Sequence, residues 1–336
     1  MERPSANDVA CSGSGGWPEL ISPGPDRKRA IDVSGEDRFD DLLLECVINV
    51  SEGRDTEVIS SIAAAAESLL LDLHSDRDHH RSVLTIGGPA EGVLEAARRV
   101  TTVALDKIDI QDHCGTHPRL GAVDVVPFVP LDSRGSPVTG SGADKAHNDA
   151  GSSGNPSLAL ALSVRDQFAS WAGSELDLPC FLYGPERALP EIRRLAFKGL
   201  DPDFGPAAPH PSAGSCAVGA REALVAYNIW LRDADLGLAR SIASELRGPQ
   251  LRALGLAAGA DAQVSFNLLR PDALGPQYVY DEVCRRLLDS GNAVSRAELV
   301  GLIPLAVLEA TPPSRWDELD IGPERTIEMR LARALS

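Results

Sequence analysis

The 336-residue chain is 43% hydrophobic and 24% charged, with a formal net charge of −17 and six singly placed cysteines. That is the composition of a globular protein long enough to bury its own core. It argues against a broad nucleic-acid or anionic-membrane surface, against a bilayer-spanning helix, which needs roughly 20 apolar residues, and, with no C-x-x-C pair, against a zinc or disulfide framework. Reduced thiols in a cytoplasmic protein are the simpler expectation. An anionic small molecule stays open as a substrate if particular Arg and Lys side chains build a local pocket.

Residues 1–41 mix Gly, Ser, Pro and charge without an apolar run, so they read as a disordered extension or a misassigned start, not a signal peptide. Residues 42–49 (LLLECVIN) read as a buried strand, 51–53 as a turn and 56–70 as a helix. Strands are expected at 70–74 and 82–87 around a polar turn. A helix follows over 89–109, opened by Pro89, and then a strand over 122–130. The order β-α-β-β-α-β is the ferredoxin-like unit. Residues 132–155 read as a flexible surface insertion, 157–176 as a helix and 180–183 as a short strand. The Pro/Gly-rich stretch 201–219 reads as a linker or as a ligand-shaped loop in an interdomain cleft. Strands at 223–231, 251–257, 262–268 and 298–304, with helices at 234–246 and 276–290, repeat the order. The expected fold is α+β, with two consecutive ferredoxin-like (βαββαβ) subdomains over 42–221 and 222–336.

Histidines gather in the first half at His74, His79, His80, His113 and His117. The segment HCGTHPRLG is the most informative. Pro118 biases His117 toward extended backbone, and Gly115 and Gly121 free the backbone on either side. An imidazole there suits proton transfer, and Arg119 could grip a carboxylate. Local sequence alone favours a surface or structural histidine beside a solvated arginine. A metal site using His113 and His117 would need a helix that Gly115 and Pro118 oppose. The segment ECVINVSEGR sets Asn49, Ser51, Glu52 and Arg54 at a strand-to-helix junction, where a turn and a helix cap would also place such residues.

Taken in order, ECVINVSEGR, LLLDLHSDRDHHRSVLTIGGP, GTHPRLGAVDVVPFVP, PDFGP, HPSAG, AVGAR, LVAYNIWL, QVSFNLL, VYDEVCRR and ELVGLIPL resemble the glutamate formiminotransferase family over about residues 44–304. The resemblance implies two ferredoxin-like subdomains with a folate cleft between them. It implies transfer of the formimino group from N-formimino-L-glutamate to N5 of tetrahydrofolate, in histidine breakdown. On the H-P-R-x-G motif it makes His117 the general acid/base. It maps a folate loop onto residues 205–214, with Gly205, Pro206, His210, Pro211 and Gly214, and a second folate-lining stretch onto about 238–247, with Arg240 and Arg247. Glu45, Asn49, Glu52, Asp72, His74, Arg81, Arg119 and Asp124 are the implied supporting residues, and Arg54 and Arg221 are further candidates for substrate carboxylates. Tetrahydrofolate is the implied co-substrate, with no metal, nucleic acid or membrane partner, and the family tends to form homodimers. A related folate-dependent formyl transferase, or a folate-binding protein with reduced catalysis, would carry the same pattern.

The chain departs from the family in three places. His74 stands where the animal form has an acid, which leaves Asp76 or Asp78 to serve if an acid is needed. The stretch between Tyr183 and Asp203 is short and lacks the tryptophan that commonly precedes PDFGP. Residues 132–155 are an insertion.

Overall fold

The computed structural model describes residues 43–115, 118–138, 156–258, 261–288 and 290–336. The expected N-terminal extension and most of the expected insertion lie outside these residues. The start of the insertion is a closed turn: Asp132 Oδ1 accepts from the Arg134 and Ser136 amides at 2.8 and 2.9 Å.

Strand β1 (Leu43–Val50) is the axis of the first sheet. Its period of two sends Leu44, Cys46, Ile48 and Val50 into one core and leaves Glu45, Val47 and Asn49 on the opposite face. Helix α1 (Thr56–Ala64) starts where Asp55 caps the Glu57 and Val58 amides at 2.9 and 3.1 Å. It ends earlier than the sequence suggests, because a 3-10 turn, Glu67–Leu69, takes over before β2 (Leu70–Asp76). Then come β3 (Arg81–Pro89), α2 (Ala90–Lys107) and β4 (Val123–Leu131). Helix α3 (Pro156–Glu175) and strand β5 (Cys180–Tyr183) follow, then α4 (Leu189–Leu195) and β6 (Cys216–Ala220). The sheet order is β2-β3-β1-β4-β6-β5, with β6 parallel to both β4 and β5. The first four of these strands are the expected ferredoxin-like unit, and the parallel pair extends it.

Strand β6 was not expected: its sequence, CAVGA, sits inside the stretch that reads as a linker. It is buried on both faces and built of small residues, so it shows no alternation. The reason for smallness is local. A Cβ on Gly219 would lie 2.1 Å from the Tyr183 ring.

The second sheet holds β7 (Val225–Arg232), β8 (Leu251–Ala258), β9 (Asp261–Leu268) and β10 (Ala293–Val300) in the order β10-β7-β9-β8, with helices α5 (Leu236–Leu246) and α6 (Pro276–Leu287). It is the first unit's strand order repeated. Strand β10 ends sooner than expected because Gly301 turns the chain at φ +82°. Leu302 then leaves the sheet and packs with Leu71 and Leu131 of the first sheet, alongside Ile327 and Leu331 of α8 (Ile327–Ala334). Helix α7 (Leu305–Glu309) lies between.

Helices α1, α2 and α3 cover one face of the first sheet. The other face is covered at its β5–β6 side by α4, through Ile192, and at its β2–β3 side by α8. Between these covers a strip along β1 faces the second sheet. The two sheets are tied across it by His79 Nε2 and Gln263 Oε1, 2.8 Å apart, and by His74 and Glu298 at 3.9 Å. No described helix is long and apolar enough to cross a membrane.

One glycine fixes where this strip ends. A Cβ on Gly121 would fall 2.2 Å from the Ala213 carbonyl oxygen and 2.4 Å from that of Ser215, both backbone atoms that cannot swing away. Gly121→Ala is therefore expected to cost about 1–3 kcal/mol as overpacking, measured by urea unfolding.

Candidate active site

Four loops meet where β1 ends. Ser51 donates its hydroxyl to the Gly121 carbonyl and its amide to that of Ala122, both at 2.8 Å. Glu52 Oε1 accepts from the Arg54 and Asp55 amides at 2.7 and 3.0 Å, closing the turn. Gly53 slides under the β2–β3 turn, where a Cβ would sit 2.1 Å from the Asp76 carbonyl oxygen. That turn is itself an Asx turn: Asp76 Oδ1 accepts from the Asp78 and His79 amides at 2.8 Å each. His80 follows in the left-handed region at φ +51°, a conformation histidine tolerates better than most residues.

The register of β1 on β4 shifts here. Asn49 pairs with Val125 and Val50 with Val123, which leaves Asp124 as the extra residue of a bulge. Asp124 is 2% exposed. It takes both Arg193 nitrogens at 3.1 and 2.7 Å, the Leu120 amide at 2.7 Å and Arg81 Nη1 at 3.4 Å. Burial would raise its carboxyl, but Arg193, Arg81 and the Leu120 amide together hold it below the usual range. Arg81 grips Asn49 Oδ1 with Nε at 3.0 Å and Nη2 at 2.6 Å. Its own pKa is pulled down to about 10 by burial, and Arg193 and Arg119 act the same way against the pull of Asp124. Arg119 lies against the His113 ring, with Nη1 2.6 Å from Nε2. Ser51, His79, His80, Arg81, Arg119 and Asp124 line a recess of about 160 Å³. In a chain of net charge −17, this is a local concentration of guanidinium groups suited to a carboxylate.

His80 has its tautomer set. Its Nδ1 accepts the Gly53 amide at 3.1 Å, so the neutral ring carries its proton on Nε2. Burial, with Arg54 and Arg119 nearby, lowers its pKa against the opposing pull of Glu52. The ring stacks on His113 with centroids 4.0 Å apart.

His117 and Thr116 lie outside the described residues. The residues that flank them are held at the recess. A Cβ on Gly115 would meet the His79 carbonyl oxygen at 2.6 Å, and the Pro118 carbonyl accepts from Arg193 at 3.0 Å. Asn49, Glu52, Arg81, Arg119 and Asp124 thus come together as expected of neighbours. His210, Pro211 and Gly214 sit beside them: Gly214 bridges Gly121, Pro211 accepts from Gln111, and His210 Nδ1 takes the Ser212 and Ala213 amides at 3.3 and 3.0 Å. Gly205 lies further back, against Gly173 and Leu178, and Pro206 follows it. Glu45, Asp72 and His74 are strung along the strip away from the recess. Asp72 lies 4.0 Å from Arg330, and His74 faces Glu298.

Arg240 and Arg247 are not brought to this place. Helix α5 packs through Ala239, Ile242 and Ala243 on the second core, whereas Gln263, Asn228 and Trp230 occupy the opposite face of that sheet, by the alternation of β7 and β9. Arg247 instead donates to the Ala253 carbonyl at 2.9 Å. Among the carboxylates, Asp124 lines the recess, Glu52 Oε1 lies 3.3 Å from His80 Nδ1, and Asp76 Oδ2 lies 3.8 Å from His79 Nε2. Two site residues carry no local signal in the sequence: Arg193, in a seven-residue helix, and Gln263, on a strand of the other sheet. A larger cleft of about 740 Å³ beneath α6 and α7 is lined by acids already paired, Asp281 with Arg315 and Glu282 with Arg285.

A family model described as "Formiminotransferase domain, N-terminal subdomain" matches residues 43–221. The chain is 32% identical over 292 residues to the glutamate formimidoyltransferase of Streptococcus pyogenes, an alignment covering 79% of this chain and 90% of that protein. It is 31% identical over 290 residues to the glutamate formimidoyltransferase of Thermoplasma acidophilum, covering 78% of this chain and 88% of that one. With the formimidoyltransferase-cyclodeaminase of Sus scrofa it shares 36% identity over 282 residues, 79% of this chain but only 51% of the relative. The match thus spans about half the length of the two-activity relatives.

Asp124→Asn removes the charge that Arg81 and Arg193 share. The expected loss at pH 7 is about 3 kcal/mol, that of breaking a buried pair. Because the folded carboxyl is depressed, its stabilisation is present above the unfolded value and vanishes as pH falls through the folded one. Unfolding curves of variant and wild type should therefore converge below about pH 4.

Proposed function

The chain belongs to the formiminotransferase family, and we propose that it is a glutamate formimidoyltransferase of histidine breakdown, moving the formimino group of N-formimino-L-glutamate to N5 of tetrahydrofolate. The observation that carries this reading is the convergence of segments far apart in sequence. Ser51, the His79–Arg81 turn, Arg119 and Asp124 line one arginine-rich recess, and the His210–Gly214 turn lies beside it through the bridge from Gly214 to Gly121.

The chemistry asks for two substrates held together and two protons moved. The N5 lone pair attacks the amidine carbon and forms a new C–N bond. The tetrahedral adduct then loses the proton on N5 and gains one on the glutamate nitrogen, whose C–N bond breaks to release glutamate and 5-formimino-tetrahydrofolate. His117 takes the first proton and delivers the second, as one imidazole of near-neutral pKa can. Arg81 and Arg119 receive the donor carboxylate. Asp124 neither gives nor takes a proton: held ionised between arginines, it fixes their positions. The strip between the sheets gives the longer folate its place, and orientation supplies much of the acceleration.

Purified protein mixed with N-formimino-L-glutamate and tetrahydrofolate is expected to release glutamate in step with 5-formimino-tetrahydrofolate, with no glutamate when tetrahydrofolate is withheld. His117→Ala is expected to lose turnover by about 10²–10⁴ while still binding tetrahydrofolate. Glutamate release that ignores tetrahydrofolate contradicts the reading, and turnover of the variant within tenfold of wild type removes His117 from its role.

A further inference from the structure

Glu45 is a carboxyl that the chain does not satisfy. It is 4% exposed, in the middle of the sheet. Among the described residues no hydrogen bond or ion pair reaches it; Arg221 and Glu328 act on it only through space. On the adjacent strand, Thr85 is fully buried and its hydroxyl also has no partner. Thr85 stands opposite Val47, and Glu45 opposite Gly87, so acid and hydroxyl are diagonal neighbours on one face. Gly301 closes over Thr85, leaving room for a Cβ only 3.3 Å from its oxygen. Between Glu45 and the recess, Val47 and Asn49 on the strip are only partly buried. From Asn49 to Glu45 it runs about 13 Å, four residues of strand.

Two buried polar groups without partners in one place call for a ligand that supplies what they lack. A carboxylate lacks donors. A hydroxyl beside it can give its proton to an acceptor next to those donors. The pterin ring of tetrahydrofolate carries this order along one edge: a 2-amino group, N3–H and the C4 carbonyl, with N5 following on the same side. The amino group and N3–H form a parallel donor pair of the kind a carboxylate takes from a guanidinium. Resting on our reading of the reaction, we propose that Glu45 binds the 2-amino and N3–H edge of the pterin, that Thr85 donates to its C4 carbonyl, and that the ring lies on Val47 with N5 turned toward the recess. The order of residues along the strip, Glu45, Thr85, Asn49, then matches the order of groups along the pterin.

The ionisation of Glu45 makes this measurable. Burial pushes its pKa up to about 7, Arg221 opposing and Glu328 adding to the shift. The neighbouring Cys46 thiol, pushed well up by burial, stays neutral. A bound pterin needs the ionised acid, so binding near pH 7 should expel about half a proton, and affinity should fall as pH drops below 7.

The test titrates wild type and Glu45→Gln with tetrahydrofolate, anaerobically, by calorimetry in two buffers of different ionisation enthalpy. Glu45→Gln is expected to weaken Kd by about 10–100-fold and to abolish the proton release, leaving the KM for N-formimino-L-glutamate within threefold. Since the free carboxyl disfavours ionisation in the fold, the variant should melt above wild type at pH 8 and with it at pH 5. A 2-desamino-2-methyl analogue of tetrahydrofolate should bind wild type as weakly as the variant and lose nothing further in the variant. Wild type that binds with no proton release, a variant Kd within threefold of wild type, or additive losses with the analogue each overturn the proposal while the transferase reading stands. Should the variant not fold, the wild-type proton release and analogue affinity decide the matter. Wild type that binds no tetrahydrofolate overturns both.

Discussion

A carboxylate inside a bulge is the constraint from which the site follows. Asp124 is forced off the alternation of β4 by the extra residue between Val123 and Val125, and there it is nearly sealed from solvent. A lone charge in such a place is expensive, so it must be surrounded by donors. Arg81 reaches it from β3 and Arg193 from α4, and Arg119 feels it through space. The arginines outnumber the acid, and their surplus charge makes the recess attractive to anions inside an acidic protein. The same bonds place Asn49 through Arg81, and the Pro118 carbonyl through Arg193. One buried acid thus sets both the charge of the recess and the position of the loop that enters it.

The second sheet supplies the other wall. His79, on the turn that carries His80 and Arg81, is tied to Gln263 across the gap, and His74 faces Glu298, which also collects Asn228 and Trp230. These contacts join segments far apart in the chain, 184 residues for His79 and Gln263, so the strip between the sheets has its width fixed by the fold and not by a loop. Unsatisfied groups are confined to few places on the described chain, and Thr85 and Gln263 both stand on this strip. Two others, Arg98 Nε and Thr101 Oγ1, lie on α2 on the far side of the first sheet. Arg165, 2% exposed, has Glu186, Asp166 and the Tyr183 carbonyl.

Most of the architecture could be read from the sequence because β1, β3, β4, β7 and β9 carry long apolar or alternating runs. Strand β6 could not, since five small residues buried on both faces give no period. Strand β10 has polar Ser295 and Arg296 in its first half, and the apolar residues after Val300 belong to a different contact, so pattern alone placed it too late. At the site, the ordered motifs led to Asn49, Glu52, Arg81, Arg119 and Asp124. Arg193 and Gln263 escaped because their importance arises only from where α4 and β9 cross the first sheet. Arg240 and Arg247 stand apart from the recess because α5 covers the face of the second sheet opposite Gln263.

The proposed transfer requires the donor at the recess and the folate along the strip to be held together while a one-carbon unit passes between them. Carbon-13 in the formimino group of the donor, followed by NMR during single turnover, reads this passage. The label is expected to leave glutamate only as it appears on N5 of tetrahydrofolate, at equal rates and without free formamide or formate. Label released to solvent at the same rate with and without tetrahydrofolate would contradict it.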